Sequence, residues 1–579
     1  MANRPETSAG SNDFSRRDFI KGSVAAGVVA GGGLGAFYFG YGAATGNPVR
    51  VGVLGTGDEG SVLIGAINPD YMEVKSIADI RPYNVWRAFH GDHSSPAALE
   101  ARPGLLSKYG WKSEHEARKQ VKVYDASSGG YEGLLKNAKA DGIEAVIIAL
   151  PLHLHAPAAI AAMNAGLHVL TEKLMGHTVH ACKEMARVAK DRGVYLAVGH
   201  QRHYNILYAN AVDQIKRGSL GDLHYVRAQW HRNNLPGGDS WAQPMPKNFD
   251  LGYEHPRQKE KLEKVLKSYV NERNKAGVAD WDMWNIRTQQ AEAQLADAIL
   301  NEKGKDGKSI AEQFGYEKKV VKDDAGKVVY EATPGEELIR WRLWDRTSAG
   351  LMAELGSHQL DAASIFIAAA HGGEKQMPLN VVAAANRPLF PPDRDVEDHV
   401  YCIIEFPAPG YDSRDPDSEQ KRIGVQYASV NGNGFGGYGE IVFGTQGTLI
   451  LESEQVMSVV KKEDSAPTSA RVGGGGGGPT LDTQASGPQG KAVKAGGEEK
   501  VSRGYTEELE HWAWCIRNPA PENQPRCNPK VALGDAVIAL TTNMAAREGK
   551  RIEFKKEWFE IDSDETPEGV SPDVNRYQA

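Results

Sequence analysis

Val51-Gly-Val-Leu-Gly-Thr-Gly-Asp-Glu-Gly60 runs from an apolar stretch into Gly55-x-Gly57-x-x-Gly60. At this spacing a strand turns tightly into a helix and leaves backbone N–H groups and the helix N-terminus free to hold a pyrophosphate. Gly55, Thr56, Gly57, Asp58, Glu59 and Gly60 are therefore candidate cofactor contacts. A second strand, Glu73 to Ile80, carries Asp79 about twenty residues beyond the third glycine, where a carboxylate accepts from ribose hydroxyls. The same charge repels a 2′-phosphate and favours NAD. Arg81, two residues on, is able to pair with that phosphate and keeps NADP open.

Working outward, 579 residues that are 41% apolar and 25% charged suit a globular protein of two or more domains. A net charge of −8 gives no basic footprint, so nucleic acid is not an expected partner. Cys182, Cys402, Cys515 and Cys527 lack the paired spacing of a zinc site or disulfide scaffold; they read as core residues, with a Cys515–Cys527 bond left open. Ser15-Arg16-Arg17-Asp18-Phe19-Ile20-Lys21 precedes a Gly/Ala/Val-rich run from Val24 to about Tyr41, the architecture of a twin-arginine export signal. The expectation is a signal segment over 1–47, a partnership with the twin-arginine export machinery, and a periplasmic or otherwise exported protein. Cleavage after Ala44 and retention by an uncleaved anchor both remain open.

From 48 to 201, apolar strands alternate with helices as a doubly wound parallel sheet requires. Glu144–Leu150, His168–Lys173 and Tyr195–Gln201 read as buried strands. Ligands collect beyond the carboxyl ends of such strands, which selects Pro151, His153 and His155, then Glu172 and Lys173, then His200, Gln201 and Arg202. After Gln201 the strands Leu223–Asn233, Val381–Leu389, His399–Phe406, Ile423–Asn431 and Glu440–Glu452 lack regular intervening helices. They indicate an α+β domain over 202–579 with a large, mainly antiparallel open sheet. Two insertions interrupt it. One, about 236–341, contains the charged segment Arg257–Asn271, which reads as a solvated surface helix in preference to a lid or subunit contact. The other, about 464–500, is rich in Gly, Ser, Pro and Ala and reads as disordered.

Taken together, the glycine fingerprint, Pro151-x-x-x-His155, Glu172-Lys173 and Gly356-x-His358-x-x-Asp361 resemble the Gfo/Idh/MocA oxidoreductases over most of the chain from about 48 to 560. Leu174 stands where that family usually has proline, and Glu354 where many relatives have aspartate. The resemblance implies a Rossmann domain followed by a sheet domain that serves in homo-oligomerisation, with the helix bearing His358 facing the nicotinamide. Residue chemistry points the same way. Oxidising a carbinol requires removal of the hydroxyl proton and stabilisation of the developing alkoxide. Lys173 supplies a positive donor for that oxygen, and His358 accepts the proton near neutral pH. Glu354, four residues before His358 on a helix, would support the imidazole. Asp361 and Arg202 are candidates for substrate hydroxyl or acidic groups. A metal cluster of His153, His155, His200 and His203 is set aside, because the nucleotide already supplies the electron acceptor.

The expected activity is NAD- or NADP-linked oxidation of a sugar or polyol hydroxyl with a tightly bound cofactor. Export motivates the retention, since no soluble NAD pool would recycle the nucleotide outside the cytoplasm. Two alternatives meet the same constraint. One is a glycosidase that works by transient oxidation, elimination and hydration; the other is a sugar-binding protein without catalysis.

Overall fold

The structure, a computed structural model, describes residues 38–44, 46–246, 249, 262–461, 468–471 and 503–577. The Arg16-Arg17 signal and the glycine run at 473–478 lie outside the described residues. No helix among the described residues is long and apolar enough to cross a membrane.

Six parallel strands form the first sheet in the order β3-β2-β1-β4-β5-β6. Strand β1 (Val49–Leu54) leads into helix α1 (Asp58–Ala66), and β2 (Met72–Ala78) leads into α2 (Pro82–His90), whose proline sits at the helix start. Then come β3 (Lys122–Tyr124), β4 (Ala145–Ile148), α3 (His155–Asn164), β5 (His168–Glu172), α4 (Val179–Arg192) and β6 (Leu196–Gly199). Both faces of the central strands are covered, so β4 is buried at every position and reads as a continuous apolar run. Helix α4 shows how local sequence sets its bounds: Thr178 caps it by accepting from the Ala181 amide, and Gly193 ends it in the left-handed conformation.

The second sheet has nine strands in the order β16-β15-β14-β13-β7-β12-β11-β10-β17. Strand β7 (Leu223–Trp230) is followed by the inserted helices α5 (Leu262–Lys275) and α6 (Val278–Ala296) and the separate hairpin β8 (Lys319–Lys322) and β9 (Val328–Ala332). After the insertion a π-helical turn, Met352–Gly356, runs directly into α7 (Ser357–Ala370). The sheet continues with β10 (Asn380–Asn386), β11 (His399–Pro407), β12 (Arg422–Val430), β13 (Tyr438–Gly444), β14 (Gly447–Glu452), β15 (Val456–Lys461) and β16 (Thr468–Arg471). Helices α8 (Tyr505–Arg517) and α9 (Pro529–Glu548) precede the short edge strand β17 (Ile552–Glu553). All pairings are antiparallel except β7 with β12.

Several expectations change. Glu440–Glu452 is a hairpin, not one strand, because β13 and β14 pair antiparallel around Thr445-Gln446. Within the glycine- and serine-rich insertion, Thr468–Arg471 forms a strand against β15. All four cysteines are free and buried, so no Cys515–Cys527 bond forms. Helix α8, far along the chain, packs against α1 and β1 of the first sheet. The end of the N-terminal apolar run is part of that same core. Phe39 packs edge-on against Tyr204, and the Tyr41 hydroxyl donates to Glu510 at 2.5 Å. The packed unit therefore begins before residue 48, and cleavage after Ala44 would remove two buried aromatic rings.

Candidate active site

The glycine turn is a cradle that side chains would fill. Gly55 has φ +86°, and a Cβ there would lie 2.4 Å from the Ala149 carbonyl oxygen; a Cβ on Gly60 would lie 2.0 Å from that of Gly55. At Gly57 the nearest atom to such a Cβ is the Asn84 amide nitrogen at 3.7 Å, so this glycine leaves the helix N-terminus open for close approach. Asp79 is buried at the end of β2, and its Oδ2 accepts from the Thr56 amide at 2.8 Å and from Asn84 at 3.0 Å. The carboxylate is thereby fixed against the turn. These features fit a dinucleotide: a close-approach turn for the pyrophosphate and an oriented acid for the ribose.

A cleft open to solvent lies over this turn. One wall is the carboxyl edge of the first sheet, with Gly55, Gly57, Asp58, Glu59, Asp79, Pro151, His155, Glu172 and Lys173. The opposite wall comes from the insertion and the segment after it: Gln243, Phe314, Tyr316, Leu338, Ile339, Trp341 and Arg342, with Glu354. Of Arg257–Asn271, residues 257–261 lie outside the described residues; the rest lies in helix α5, which is buried only at Leu262. The insertion as a whole nevertheless walls the nucleotide cleft, which the reading of Arg257–Asn271 alone did not anticipate. Its aromatic residues carry no spacing that marks them as cleft residues.

Asp58, in the first turn of α1, shows how the cleft balances charge. Burial alone would raise its pKa, but Arg87, Arg102 and Arg342 pull it below the ordinary carboxylate value. Arg87 donates to Asp58 at 2.7 Å. Arg342 stands 3.6 Å from the Asp58 carboxylate and donates through Nε to Glu354 Oε2 at 2.7 Å, linking the glycine turn to the helix that carries His358.

Lys173 reaches across from β5 and donates Nζ to the Glu354 carbonyl oxygen at 2.8 Å. The Lys173–Leu174 peptide is cis. Glu172 is buried, and desolvation raises its carboxyl to about 7 against the opposing pull of Lys173. His358 is buried beside Trp230 and His200, with ring centroids at 5.4 and 6.3 Å. Burial, followed by the charges of Lys173 and Arg202, holds its pKa well below the ordinary histidine value, so it is a neutral imidazole at neutral pH. The π turn bears on the pairing expected from the sequence. It breaks the four-residue register that would set Glu354 above His358, and the Glu354 carboxylate turns to Arg342.

Other sequence candidates lie farther from the cleft or serve the scaffold. His155 sits with its ring nitrogens 2.8 and 2.9 Å from the Leu174 and Leu150 carbonyl oxygens, and as a neutral ring it donates to one of them. His153 packs edge-on against Tyr316, and burial lowers its pKa to about 3. Arg202 is committed to Glu454 at 2.9 Å and to the His358 carbonyl oxygen at 2.5 Å. Asp361 accepts from His203 at 2.9 Å and lies 3.6 Å from His200. Ligand-type atoms of His203, Asp361 and Asp535 fall within 4.8 Å of one another. The Lys375 ammonium already hydrogen-bonds Asp535 within this cluster. Arg202, Asp361 and His153 do not line the cleft, and neither does His358, which lies behind the π turn that does.

Among curated proteins, the chain is 30% identical over 159 residues to dTDP-3,4-didehydro-2,6-dideoxy-alpha-D-glucose 3-reductase of Streptomyces violaceoruber, covering 27% of this chain and 43% of that protein. It is 28% identical over 193 residues to a glycosyl hydrolase family 109 protein of Stenotrophomonas maltophilia, covering 33% of this chain and 37% of that one. The chain thus spans less than half the length of these relatives. Among solved structures, an inositol dehydrogenase homolog complexed with NAD+ from Azotobacter vinelandii superposes with a TM-score of 0.51 at 13% identity, over 88% of this chain and 98% of that one. This likeness shows the shared fold across both sheets. Residues 49–200 match the model of the oxidoreductase family GFO_IDH_MocA, NAD-binding Rossmann fold. The glycine cradle and Asp79 lie within this matched stretch, so the first sheet is similar to the NAD-binding Rossmann domain that this family model describes.

Proposed function

We propose that the protein is an NAD-linked oxidoreductase acting on a sugar or polyol hydroxyl, with its nucleotide held throughout the reaction cycle and reoxidised by passing the hydride to a second carbonyl substrate. The observation that carries this reading is the meeting of Lys173, from the end of β5, with the π turn before His358, across a cleft that also contains the glycine cradle. When bound, the nucleotide supplies a hydride acceptor. The protein's own groups handle charge and proton. Lys173 offers an ammonium to the substrate oxygen as negative charge develops there. His358, kept neutral by its surroundings, is ready to take the hydroxyl proton. Glu354 and Arg342 fix the π turn that presents Lys173.

Retention of the nucleotide is supported by the two-sided cleft, and export of a folded, loaded protein by Arg16-Arg17. The second sheet exposes Val382, Tyr401 and Ile403, which supports homo-oligomer formation through that face. The similarity to a glycosyl hydrolase family 109 protein favours one second reading, hydrolysis of a glycoside by transient oxidation. Incubation with free sugars, polyols and glycosides in heavy water, followed by mass spectrometry, separates the two. Net redox conversion without deuterium at carbon supports the oxidoreductase, and hydrolysis with carbon-bound deuterium supports the second reading. No conversion across the panel would contradict both and leave a sugar-binding role.

A further inference from the structure

Arg81 is the residue that leaves nucleotide choice open in the sequence, because a guanidinium two positions after Asp79 can bind a 2′-phosphate. In the fold it is already engaged. Its Nε and Nη2 donate to Asp297 Oδ2 at 3.0 and 2.9 Å, and the Tyr83 amide donates to Asp297 Oδ1 at 3.0 Å. Asp297 follows α6 directly, so an insertion residue 216 positions away along the chain holds the Arg81 side chain. The pair is shielded, with side-chain exposures of 11% for Arg81 and 2% for Asp297.

The insertion cannot easily let go. Gln290 of α6 donates to the Tyr83 hydroxyl and to Asp92, each at 3.0 Å, and accepts from the His93 amide at 2.7 Å. Arg287 adds a bond to the His93 carbonyl oxygen at 3.1 Å. Burial pushes the Asp297 carboxyl pKa up and Arg81 opposes the rise, so the carboxylate depends on the guanidinium it holds. Asp79, Arg81 and Asp297 together carry one net negative charge. A 2′-phosphate entering there would meet two carboxylates and a guanidinium already committed to one of them.

We propose that Asp297 sets nucleotide choice in this chain: by holding Arg81 it withholds that guanidinium from a 2′-phosphate and fixes the cleft on NAD. The inference rests on the reading of the cleft as a dinucleotide site, and its test reads binding, not turnover. Purified protein is first stripped of resident nucleotide, then incubated with an equimolar mixture of NAD and NADP, freed of unbound nucleotide and denatured, and the released nucleotides are quantified. Wild type should release NAD almost alone. Asp297→Asn keeps an acceptor for the Tyr83 amide but frees Arg81, and should shift the ratio toward NADP by about tenfold or more, as expected for a new charge-assisted phosphate contact. Arg81→Gln added to Asp297→Asn should return the ratio to within about threefold of wild type, because the phosphate partner is then gone.

Thermal melting monitors folding, and Asp297→Gln serves as a second variant if the asparagine protein melts early. An unchanged ratio in a folded Asp297 variant that still binds NAD overturns this inference alone. So does a shift that survives the loss of Arg81. Wild-type protein that carries no nucleotide as purified and takes up neither when stripped overturns the dinucleotide reading and this inference with it.

Discussion

The two walls of the cleft are built by different means. The first-sheet wall is built on backbone: strand ends, a glycine turn and an acid fixed by the Thr56 amide, all between Gly55 and Lys173 in a repeating pattern. The facing wall is assembled from side chains of an insertion, Phe314, Tyr316 and Trp341, and from Arg342 just after it, and depends on contacts over long sequence separations. The first wall supplies the cradle, and the insertion adds residues drawn from far along the chain, Tyr316 lining the cleft and Asp297 holding Arg81.

That division yields graded predictions. The largest effects are expected at the two groups proposed to act on the reacting oxygen. Lys173→Met and His358→Ala should each lower turnover by about 10²- to 10⁴-fold while leaving nucleotide bound, with the double variant less impaired than the product of the singles. Steady-state kinetics on a converted substrate, with released nucleotide measured in parallel, checks this; normal turnover in either variant would remove that residue from catalysis. Glu354→Gln should cost less, because the Glu354 side chain acts through Arg342 and its carbonyl oxygen still receives Lys173.

A smaller effect is expected on the insertion wall. Tyr316→Ala removes a buried ring from the cleft and should weaken nucleotide retention by roughly tenfold, with turnover at saturating nucleotide little changed. The off-rate of bound nucleotide, followed by NADH fluorescence, reads this directly. An unchanged off-rate would mean that the insertion only borders the site.

The smallest effect is a displacement along the pH axis. The depressed pKa of His358 leaves its base form present at lower pH than for an ordinary histidine, so its acid limb in kcat/KM should fall below about 6.5. An inflection near 7 would belong to Glu172 and should disappear in Glu172→Gln. An inflection at 6.5 that vanishes in His358→Ala would show instead that the imidazole is well solvated.

The difference between the walls also explains what the amino-acid sequence disclosed. Strand ends and the glycine turn follow from apolar runs and from glycines at positions where a side chain would strike backbone, as at Gly55 and Gly60. Glu172, Lys173 and Asp79 could be named because they sit at fixed offsets from those features. The π turn was hidden, since one shifted backbone register leaves no trace in residue type, and with it went the expected Glu354–His358 pairing. Arg202 resembled a substrate-binding arginine until its burial against Glu440 and Glu454 could be seen. Asp297 and Arg342 act through partners brought together only by the fold.

The central claim is that this two-walled cleft holds a nicotinamide dinucleotide as a resident cofactor. The most direct measurement is to purify the full chain without added nucleotide, denature it, and quantify what is released. The account predicts NAD at close to one per chain. A protein that releases none, and that also fails to bind NAD or NADP when either is supplied, would contradict it.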